Sequence, residues 1–369
     1  MTDKKRIGVL FGGRSGEHEV SLLSARSIIA NLDSAKYEII PVAINQHGHW
    51  FSGPDALERL QTGRTSGLVP VALLPEPGHN RLYAIRNGQL EPYADLDVVF
   101  PVLHGTFGED GTLQGLLEMA GVAYIGAGVL GSAVAMDKAL FKSVMRANDL
   151  PVLASRLFTR AQIAGHIDQV IPEIEQFSAY PVFIKPANLG SSVGITKCRS
   201  RSDLVEGLME ASRFDRRILV EVGLEAPREI EVSVFGNDDP QASVPGEIIP
   251  GEDFYTYSAK YVSDNSQLLI PAPLPDKVRE DIRRIAVQVY KAIDCAGMAR
   301  VDFLIDPRSL EIYVSEVNTI PGFTSISMYP KLWEASGLSY PALIEKLIDL
   351  ALERKADRDH TEFTYRREA

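Results

Sequence analysis

The first third of the chain alternates short apolar segments with amphipathic ones, and this alternation constrains the fold more than any other feature. Residues 7–11 are apolar and end in the glycine turn 12–16, and residues 20–31 follow with apolar side chains at helical spacing. Residues 37–44 and the continuous apolar run 98–103 predict two further strands. A strand without polar residues is typical of a parallel sheet that is covered on both faces. We therefore predict an α/β fold that begins with a parallel sheet flanked by helices.

The pattern divides the chain into three predicted domains. The α/β domain occupies residues 1–125, in which the Pro- and Gly-rich segment 67–79 is interpreted as a surface excursion. Mixed helix and strand signals predict a central domain over 126–221 and a C-terminal domain over 222–369. A polar and aromatic segment at about 250–266 is interpreted as a lid, because long loops in compact domains are usually functional.

Composition and charge exclude several classes of protein. The 38 Lys+Arg and 49 Asp+Glu residues give a net charge of −11, which disfavours binding to nucleic acid or to an anionic membrane. Only two cysteines occur, Cys198 and Cys295, so the sequence predicts no disulfide framework and a reducing, cytoplasmic location. The uncharged stretch 119–136 reaches the length of a short membrane span, but its glycines favour a buried strand–turn–helix junction.

Two glycine motifs allow more than one interpretation. Residues 126–131 match the GxGxxG of a dinucleotide site, but Asp149, at the spacing of the acidic residue, ends a helix and not a strand. We interpret this motif as a turn between domains and keep an NAD site as the alternative. Residues 190–194 match the GxSxG of a hydrolase, but the only later histidine is His360 in the charged tail.

The same loop, 190–194, is better explained as a phosphate-binding loop. Small residues let backbone N–H groups approach an oxyanion, and Ser191 and Ser192 add hydroxyl donors. Lys185, at the end of the preceding predicted strand, supplies a positive charge. A plain hairpin turn remains the alternative.

The strongest constellation of polar residues lies near the C-terminus. Arg300 and Asp302 alternate on one predicted strand, as do Glu316 and Asn318 on the next. A hairpin centred near Ser309 places Asp302 opposite Glu316, and Arg300 opposite Asn318. The other face is predicted to contain Val301, Phe303, Tyr313 and Val317. Two carboxylates and an amide oxygen form a set that Mg²⁺ prefers, and a solvated strand face is the alternative.

The sequence resembles the D-alanine–D-alanine ligases of the ATP-grasp superfamily over nearly the whole chain. The matching stretches are LFGGRSGEHEVSLLSA (10–25), LHGTFGEDGTLQG (103–115), MDK (136–138), IKPANLGSSVG (184–194), YSAKYVSD (257–264), RVDFLID (300–306) and EVNTIPGFTSISM (316–328). The resemblance implies an ATP-grasp fold of three domains, in which two α+β domains grip ATP. It also implies an ATP-dependent ligase that forms D-alanyl-D-alanine through an acylphosphate for peptidoglycan synthesis.

The resemblance assigns residues to the nucleotide. The implied set is Lys138, Lys185, Ser192, Glu221, Val222 and Glu229. Lys138 and Lys185 correspond to the lysines on the phosphates, Glu221 to the adenine-pocket acid and Glu229 to the ribose contact. Val222 stands where the family often has Lys, so an apolar or backbone contact to adenine is expected there. Asp302, Glu316 and Asn318 resemble the ligands of two Mg²⁺ ions, for which Mn²⁺ is an alternative.

The resemblance also assigns residues to the amino acid substrates. The implied catalytic set is Glu17, Ser191, Tyr261, Arg300 and the backbone of Gly322, and the implied substrate contacts are His104, Lys260, Ser327 and Met328. From the residues alone, His104 is equally a buried core histidine, and Glu17 equally an acid at a helix start. The family implies that Tyr261 accompanies D-alanine, and not D-lactate, as second substrate. A homodimer is also expected from the family.

Three other functions remain open at this point. Another ATP-grasp ligase would keep Lys185 and the metal-binding face but act on a different acid and amine. An NAD enzyme would use the loop 126–131, and a non-catalytic interaction protein would bind neither ATP nor a metal ion. An assay of amino-acid-dependent ADP release distinguishes these alternatives.

Overall fold

The computed structural model describes residues 4–190, 192–249 and 267–362, which form three β-sheets with helices packed against them. Ser191 and the predicted lid 250–266, with Lys260 and Tyr261, lie outside the described residues. Within the described residues no helix combines the length and the apolar character needed to cross a membrane.

The first sheet is mixed, and its spatial order is β6-β5-β4-β3-β2-β1-β7-β8. Its strands are β1 (Lys5–Gly12), β2 (Tyr37–Ile44), β3 (Trp50–Ser52), β4 (Val69–Leu73), β5 (Arg81–Arg86), β6 (Gln89–Asp95), β7 (Val98–Val102) and β8 (Ala123–Tyr124). Its helices are α1 (His18–Asn31), α2 (Ala56–Gln61) and α3 (Thr112–Ala120). Strands β2, β1, β7 and β8 pair in parallel, as predicted, whereas β3 to β6 extend the sheet by antiparallel pairing. The interpretation of residues 67–79 as a surface excursion was therefore wrong, because they contain β4.

The second sheet is antiparallel, in the order β11-β10-β12-β9. Its strands are β9 (Ser155–Thr159), β10 (Val182–Pro186), β11 (Thr196–Cys198) and β12 (Arg217–Val222). The helices of this part are α4 (Val129–Met136), α5 (Lys138–Ala147), α6 (Arg160–Phe177) and α7 (Arg201–Phe214). A capping box between Thr159 and Gln162 begins α6, so the sequence itself fixes where this helix starts.

The third sheet follows the order β16-β15-β13-β17-β18, with β14 paired to β13. Its strands are β13 (Arg228–Gly236), β14 (Gln241–Ala242), β15 (Gly246–Ile249), β16 (Gln267–Leu269), β17 (Gly297–Ile305) and β18 (Ile312–Asn318). The helices of this part are α8 (Asp276–Ala292), α9 (Met328–Ala335) and α10 (Tyr340–Arg358). The domain boundaries predicted near residues 125 and 221 stay predictions.

The hairpin of β17 and β18 has the predicted register at its polar end. Asp302 pairs with Glu316 and Arg300 pairs with Asn318. A bulge between Asp302 and Phe303 then shifts the register, so that Phe303 pairs with Val314. Val314 is buried in place of Tyr313, whose hydroxyl bonds Glu311. The placement of Tyr313 on the apolar face was therefore wrong.

The GxGxxG motif at residues 126–131 is packed tightly between elements of the fold. A Cβ on Gly131 would lie 3.0 Å from the carbonyl oxygen of Asp294, and a Cβ on Gly297 would lie 2.8 Å from the nitrogen of Gly126. Gly126 has φ +100°, a conformation that favours glycine. The close packing at Gly126 and Gly131 agrees with the interpretation as a turn.

Helix α10 connects the end of the chain to its beginning. Its residues Leu343, Leu347 and Ile348 belong to the same buried cluster as Ile7 of β1 and Phe100 of β7. At its C-terminal end, Arg354 stacks on the Tyr124 ring at 4.2 Å, and Arg358 pairs with Glu118. The first sheet thus has a core that is completed by residues more than two hundred positions later in the chain.

Candidate active site

A cavity of about 450 Å³ lies between the second and third sheets. The residues predicted from sequence that line it are Lys138, Lys185, Ser192, Glu221, Val222, Glu229, Asp302 and Glu316. The whole set predicted for the nucleotide therefore meets in one space, together with two of the three predicted metal ligands.

Glu221 is buried at the centre of the predicted nucleotide end. It is 1% exposed, and its two carboxylate oxygens bind Lys142 Nζ at 3.2 Å and Lys185 Nζ at 3.0 Å. Burial alone would raise the pKa of Glu221, but the two lysines outweigh burial and lower it. Burial lowers the pKa of Lys142, while Glu221 opposes that change. Lys142 was missed from sequence because nothing near it in the chain indicates a pairing with Glu221.

A second, smaller cavity adjoins the first and shares Lys138, Gly190 and Glu316 with it. Its other lining residues include Glu17, Glu109, Arg300, Asn318 and Thr319. The two predicted ligand regions, for nucleotide and for amino acid, are therefore neighbouring parts of one cleft.

Arg300 organises the polar face of the hairpin. Its Nε and Nη2 donate to the two oxygens of Asp302 at 2.7 and 2.6 Å, and Nε lies 3.0 Å from Glu231 Oε2. Asn318 Nδ2 donates to Asp302 Oδ2 at 3.0 Å. Such bidentate pairs are strong and directional, so the guanidinium is held in one orientation. Glu231 was not predicted as a site residue, although polar and apolar residues alternate along β13 and place Glu231 on its polar face.

The predicted metal ligands form an oxygen-rich face with cations around it. Asp302, Glu316 and Asn318 lie on adjacent strands, and Glu316 Oε2 is 3.7 Å from Lys138 Nζ. Within the described residues no group of three His, Cys, Asp or Glu side chains is arranged to hold a metal ion. The set of two carboxylates and one amide fits a hard cation, because all three can present oxygen.

Glu17 lies where two glycine-containing loops meet, directly before α1. A Cβ on Gly105 would be 2.6 Å from Glu17 Oε2, and a Cβ on Gly190 would be 3.1 Å from the same atom. The backbone at Gly105, with φ +72°, favours glycine at this close approach, and Gly190 also packs closely against the carboxylate. The arrangement brings the predicted phosphate loop next to the predicted substrate acid.

Two titratable groups of the loop after β7 face Glu17. Desolvation, followed by the charge of Glu17, raises the pKa of Glu109 to about 8. Burial lowers the pKa of His104, while Glu17 and the carbonyl of Ile320 oppose that change. Glu109 was missed from sequence, although it belongs to the stretch 103–115 that carries the resemblance.

His104 has both ring nitrogens engaged by protein groups. Nδ1 is 2.9 Å from the carbonyl oxygen of Ile320, and Nε2 is 3.3 Å from Ser24 Oγ. This arrangement corresponds to the core-histidine alternative, and a contact of His104 with substrate stays a prediction.

The segment between β18 and α9 holds the remaining predicted residues. A Cβ on Gly322 would lie 2.8 Å from Ser327 Oγ, which accepts from the Thr324 N–H at 3.0 Å. Met328 is buried and packs with Ile248 and Leu332. Gly322 and Ser327 are thus close neighbours, and a contact of Met328 with substrate stays a prediction. The roles of Ser191, Lys260 and Tyr261 also stay predictions, because these residues are outside the described part.

Comparison with known proteins covers almost the entire chain. Residues 6–127 match the family model "D-ala D-ala ligase N-terminus", and residues 144–349 match "D-ala D-ala ligase C-terminus". The D-alanine--D-alanine ligase of Natranaerobius thermophilus is 48% identical over 364 residues, which cover 98% of this chain and 99% of that protein.

Solved structures give the same result for the fold. The D-alanine-D-alanine ligase of Coxiella burnetii has a TM-score of 0.83 and 36% identity, with 97% of each chain covered. The VanG D-Ala:D-Ser ligase of Enterococcus faecalis has a TM-score of 0.84 and 36% identity, with 95% of this chain and all of that one covered. These likenesses confirm the predicted ATP-grasp fold. The chain belongs to the D-alanine–D-alanine ligase family.

Proposed function

We propose that this protein is an ATP-dependent ligase that joins two D-alanine molecules into D-alanyl-D-alanine, with release of ADP and phosphate, for peptidoglycan precursor synthesis. The observation that carries this proposal is the cleft in which a cavity lined by Lys138 and Lys185 adjoins the Glu17 and Arg300 region. Membership of the family gives the proposal its substrate class.

ATP occupies the cavity between the second and third sheets in this proposal. Glu221 meets the adenine and Glu229 meets the ribose, while Lys138 and Lys185 face the phosphates as point charges. Val222 lines the same cavity and supplies an apolar or backbone contact to the base. The backbone of the loop at Ser192 covers the phosphates.

Asp302, Glu316 and Asn318 would hold two Mg²⁺ ions, with Mn²⁺ as an alternative. The fit rests on the chemistry of the donor set, which offers oxygen ligands; Asp302 and Glu316 line the nucleotide cavity, and Asn318 lines the adjoining one. When bound, these ions offset the negative charge of the phosphate oxygens.

The reaction uses the adjoining part of the cleft. Glu17 binds the ammonium of the first D-alanine, whose carboxylate oxygen attacks the γ-phosphorus of ATP, and ADP leaves. The amine of the second D-alanine attacks the carbonyl carbon of the acylphosphate, loses a proton, and phosphate leaves as the peptide bond forms. Arg300 and the Gly322 N–H stabilise the oxyanion of the tetrahedral intermediate. Lys260 and Ser327 bind the carboxylate of the second substrate in this scheme.

The proposal extends to three features of the whole protein. Tyr261 and Ser191 form hydrogen bonds with Glu17 and close a lid that protects the acylphosphate from water. Met328 and His104 border the substrates. The protein acts in the cytoplasm as a homodimer, in line with the family.

An amino-acid-dependent ADP assay tests the proposal. Purified protein with ATP and Mg²⁺ is supplied with D-alanine, L-alanine, or D-alanine together with D-serine or D-lactate. We expect ADP release with D-alanine and chromatographic detection of D-alanyl-D-alanine in equal amount. ADP release without any dipeptide from D-alanine would reject the assignment, and a mixed product formed in preference would reject D-alanine as second substrate.

A further inference from the structure

The segment Ile320–Phe323 has its backbone groups held on both sides of Gly322 by side chains from other elements. The Ile320 N–H donates to Glu109 Oε1 at 3.0 Å, and the Ile320 carbonyl lies 2.9 Å from His104 Nδ1. The Phe323 N–H donates to Ser24 Oγ at 3.2 Å, and the Phe323 carbonyl accepts from the Tyr340 hydroxyl at 2.7 Å.

These contacts form one consistent hydrogen-bond network. His104 Nδ1 faces a carbonyl oxygen, so this nitrogen carries the proton and Nε2 accepts. Ser24 can therefore donate to Nε2 while its oxygen accepts the Phe323 N–H. A neutral imidazole satisfies every contact of this network, in agreement with the lowered pKa of His104.

Glu109 completes the network from the other direction. Its Oε2 accepts from the Gly105 N–H at 2.8 Å, while its Oε1 accepts from the Ile320 N–H. One carboxyl group thus connects the loop beside Glu17 with the segment after β18, across 211 positions of the chain. Within residues 4–190, 192–249 and 267–362, the Gly322 N–H has no hydrogen-bond partner, so it is available to a ligand.

We propose that Glu109 is a positioning residue: it fixes the Ile320–Phe323 segment so that the Gly322 N–H keeps its orientation toward the reacting carbonyl. This inference rests on the proposed ligase function, in which Gly322 stabilises the oxyanion. An oxyanion donor is effective only when its direction is set before the reaction. Glu109 itself does not contact the reacting atoms in this role.

The variant Glu109→Gln tests the role with little change of shape. The amide offers one acceptor oxygen, so one of the two backbone N–H groups loses its partner. Asp110→Asn is the matched control, since Asp110 also accepts two backbone N–H groups, but both from its own loop at Phe107 and Thr112. We expect the turnover number to fall about ten- to a hundred-fold in Glu109→Gln, with the KM for ATP unchanged and Asp110→Asn close to wild type.

Hydrogen exchange gives a readout that does not depend on activity. We expect faster exchange of the Ile320 amide in Glu109→Gln and unchanged exchange in Asp110→Asn. If Glu109→Gln exchanges the Ile320 amide at the normal rate and keeps the turnover number of the wild type, the positioning role is overturned and the ligase function is left intact. An inactive wild type would instead reject the ligase function. If Glu109→Gln does not fold, Ser24→Ala, which removes the acceptor of the Phe323 N–H, must show the same fall in turnover or the proposal is wrong.

Discussion

Two carboxyl groups in the same cleft, Glu221 and Glu109, have opposite electrostatic surroundings. Two lysines bind Glu221, and its pKa is lowered despite complete burial. Glu109 accepts from two backbone N–H groups and faces Glu17, and burial together with the charge of Glu17 raises its pKa to about 8. At the proposed nucleotide end the protein thus balances the charge of a buried carboxylate, whereas at the proposed substrate end burial and the charge of Glu17 keep Glu109 protonated up to about pH 8.

The largest expected effect comes from breaking the ion pairs of Glu221 at the nucleotide end. Glu221→Gln removes the carboxylate that binds both Lys142 and Lys185, and breaking a buried ion pair costs about 3–5 kcal/mol. We expect urea unfolding without nucleotide to show a loss of this size. Glu173→Gln removes the half-exposed pair with Arg156 and serves as control, with an expected loss of about 0–1 kcal/mol. Equal losses in the two variants would contradict the assignment of Glu221 as a paired buried charge.

The second effect concerns the cation of the substrate end. Arg300→Ala removes a proposed oxyanion donor, so we expect turnover to fall about 10²–10³-fold with a small change in the KM for ATP. Arg300→Lys should recover little, because an ammonium cannot bind Asp302 in the bidentate way. Steady-state kinetics measures both variants. A large rise in the KM for ATP at unchanged turnover would show that Arg300 belongs to nucleotide binding instead.

The third effect concerns the same ion pairs, of which one is removed and one is kept. Lys142→Met leaves Glu221 with Lys185 alone, and the lost charged hydrogen bond corresponds to about 1.5–3 kcal/mol of unfolding free energy. We also expect a higher KM for ATP at similar turnover, because Lys142 lies behind the cavity wall. Arg146→Met, one turn later on α5 and exposed, should change stability by less than about 0.5 kcal/mol. Equal effects on both variants would argue against a specific role of Lys142.

The fourth effect is a gradual pH dependence at the proposed substrate end. Between pH 4.5 and about 8, folded Glu109 keeps a proton that the unfolded chain has released, so rising pH lowers the unfolding free energy across this window. The slope is at most about 1.4 kcal/mol per pH unit for one group. Glu109→Gln removes this component, so urea unfolding from pH 5 to pH 8 should show wild type losing stability relative to the variant. A difference that stays constant with pH would contradict the raised pKa.

The parts of this cleft that were predictable from sequence follow local rules. Alternation within β17 and β18 was enough to place Asp302 opposite Glu316, and the parallel pairing of β1, β2 and β7 followed from their apolar character. The prediction for Tyr313 was wrong because one bulged residue exchanges the two faces of a strand. Nothing in the local sequence pattern indicates that bulge.

The parts that were missed depend on contacts between distant segments. Lys142 meets Glu221 across 79 positions, and Glu109 meets Ile320 across 211. Neither pair has a spacing rule that a single sequence could reveal. The antiparallel extension β3 to β6 was missed because its short strands have mixed polarity.

Helix α10 has a consequence for the synthesis of the protein. The first sheet is translated by residue 124, but part of its buried cluster comes from residues 343–351. At about 5–20 residues per second, a ribosome needs on the order of 10–50 s to make the intervening chain. During that time the nascent first domain exposes an apolar surface that α10 helps to cover, so the packing of this cluster is completed only after residues 343–351 have been made.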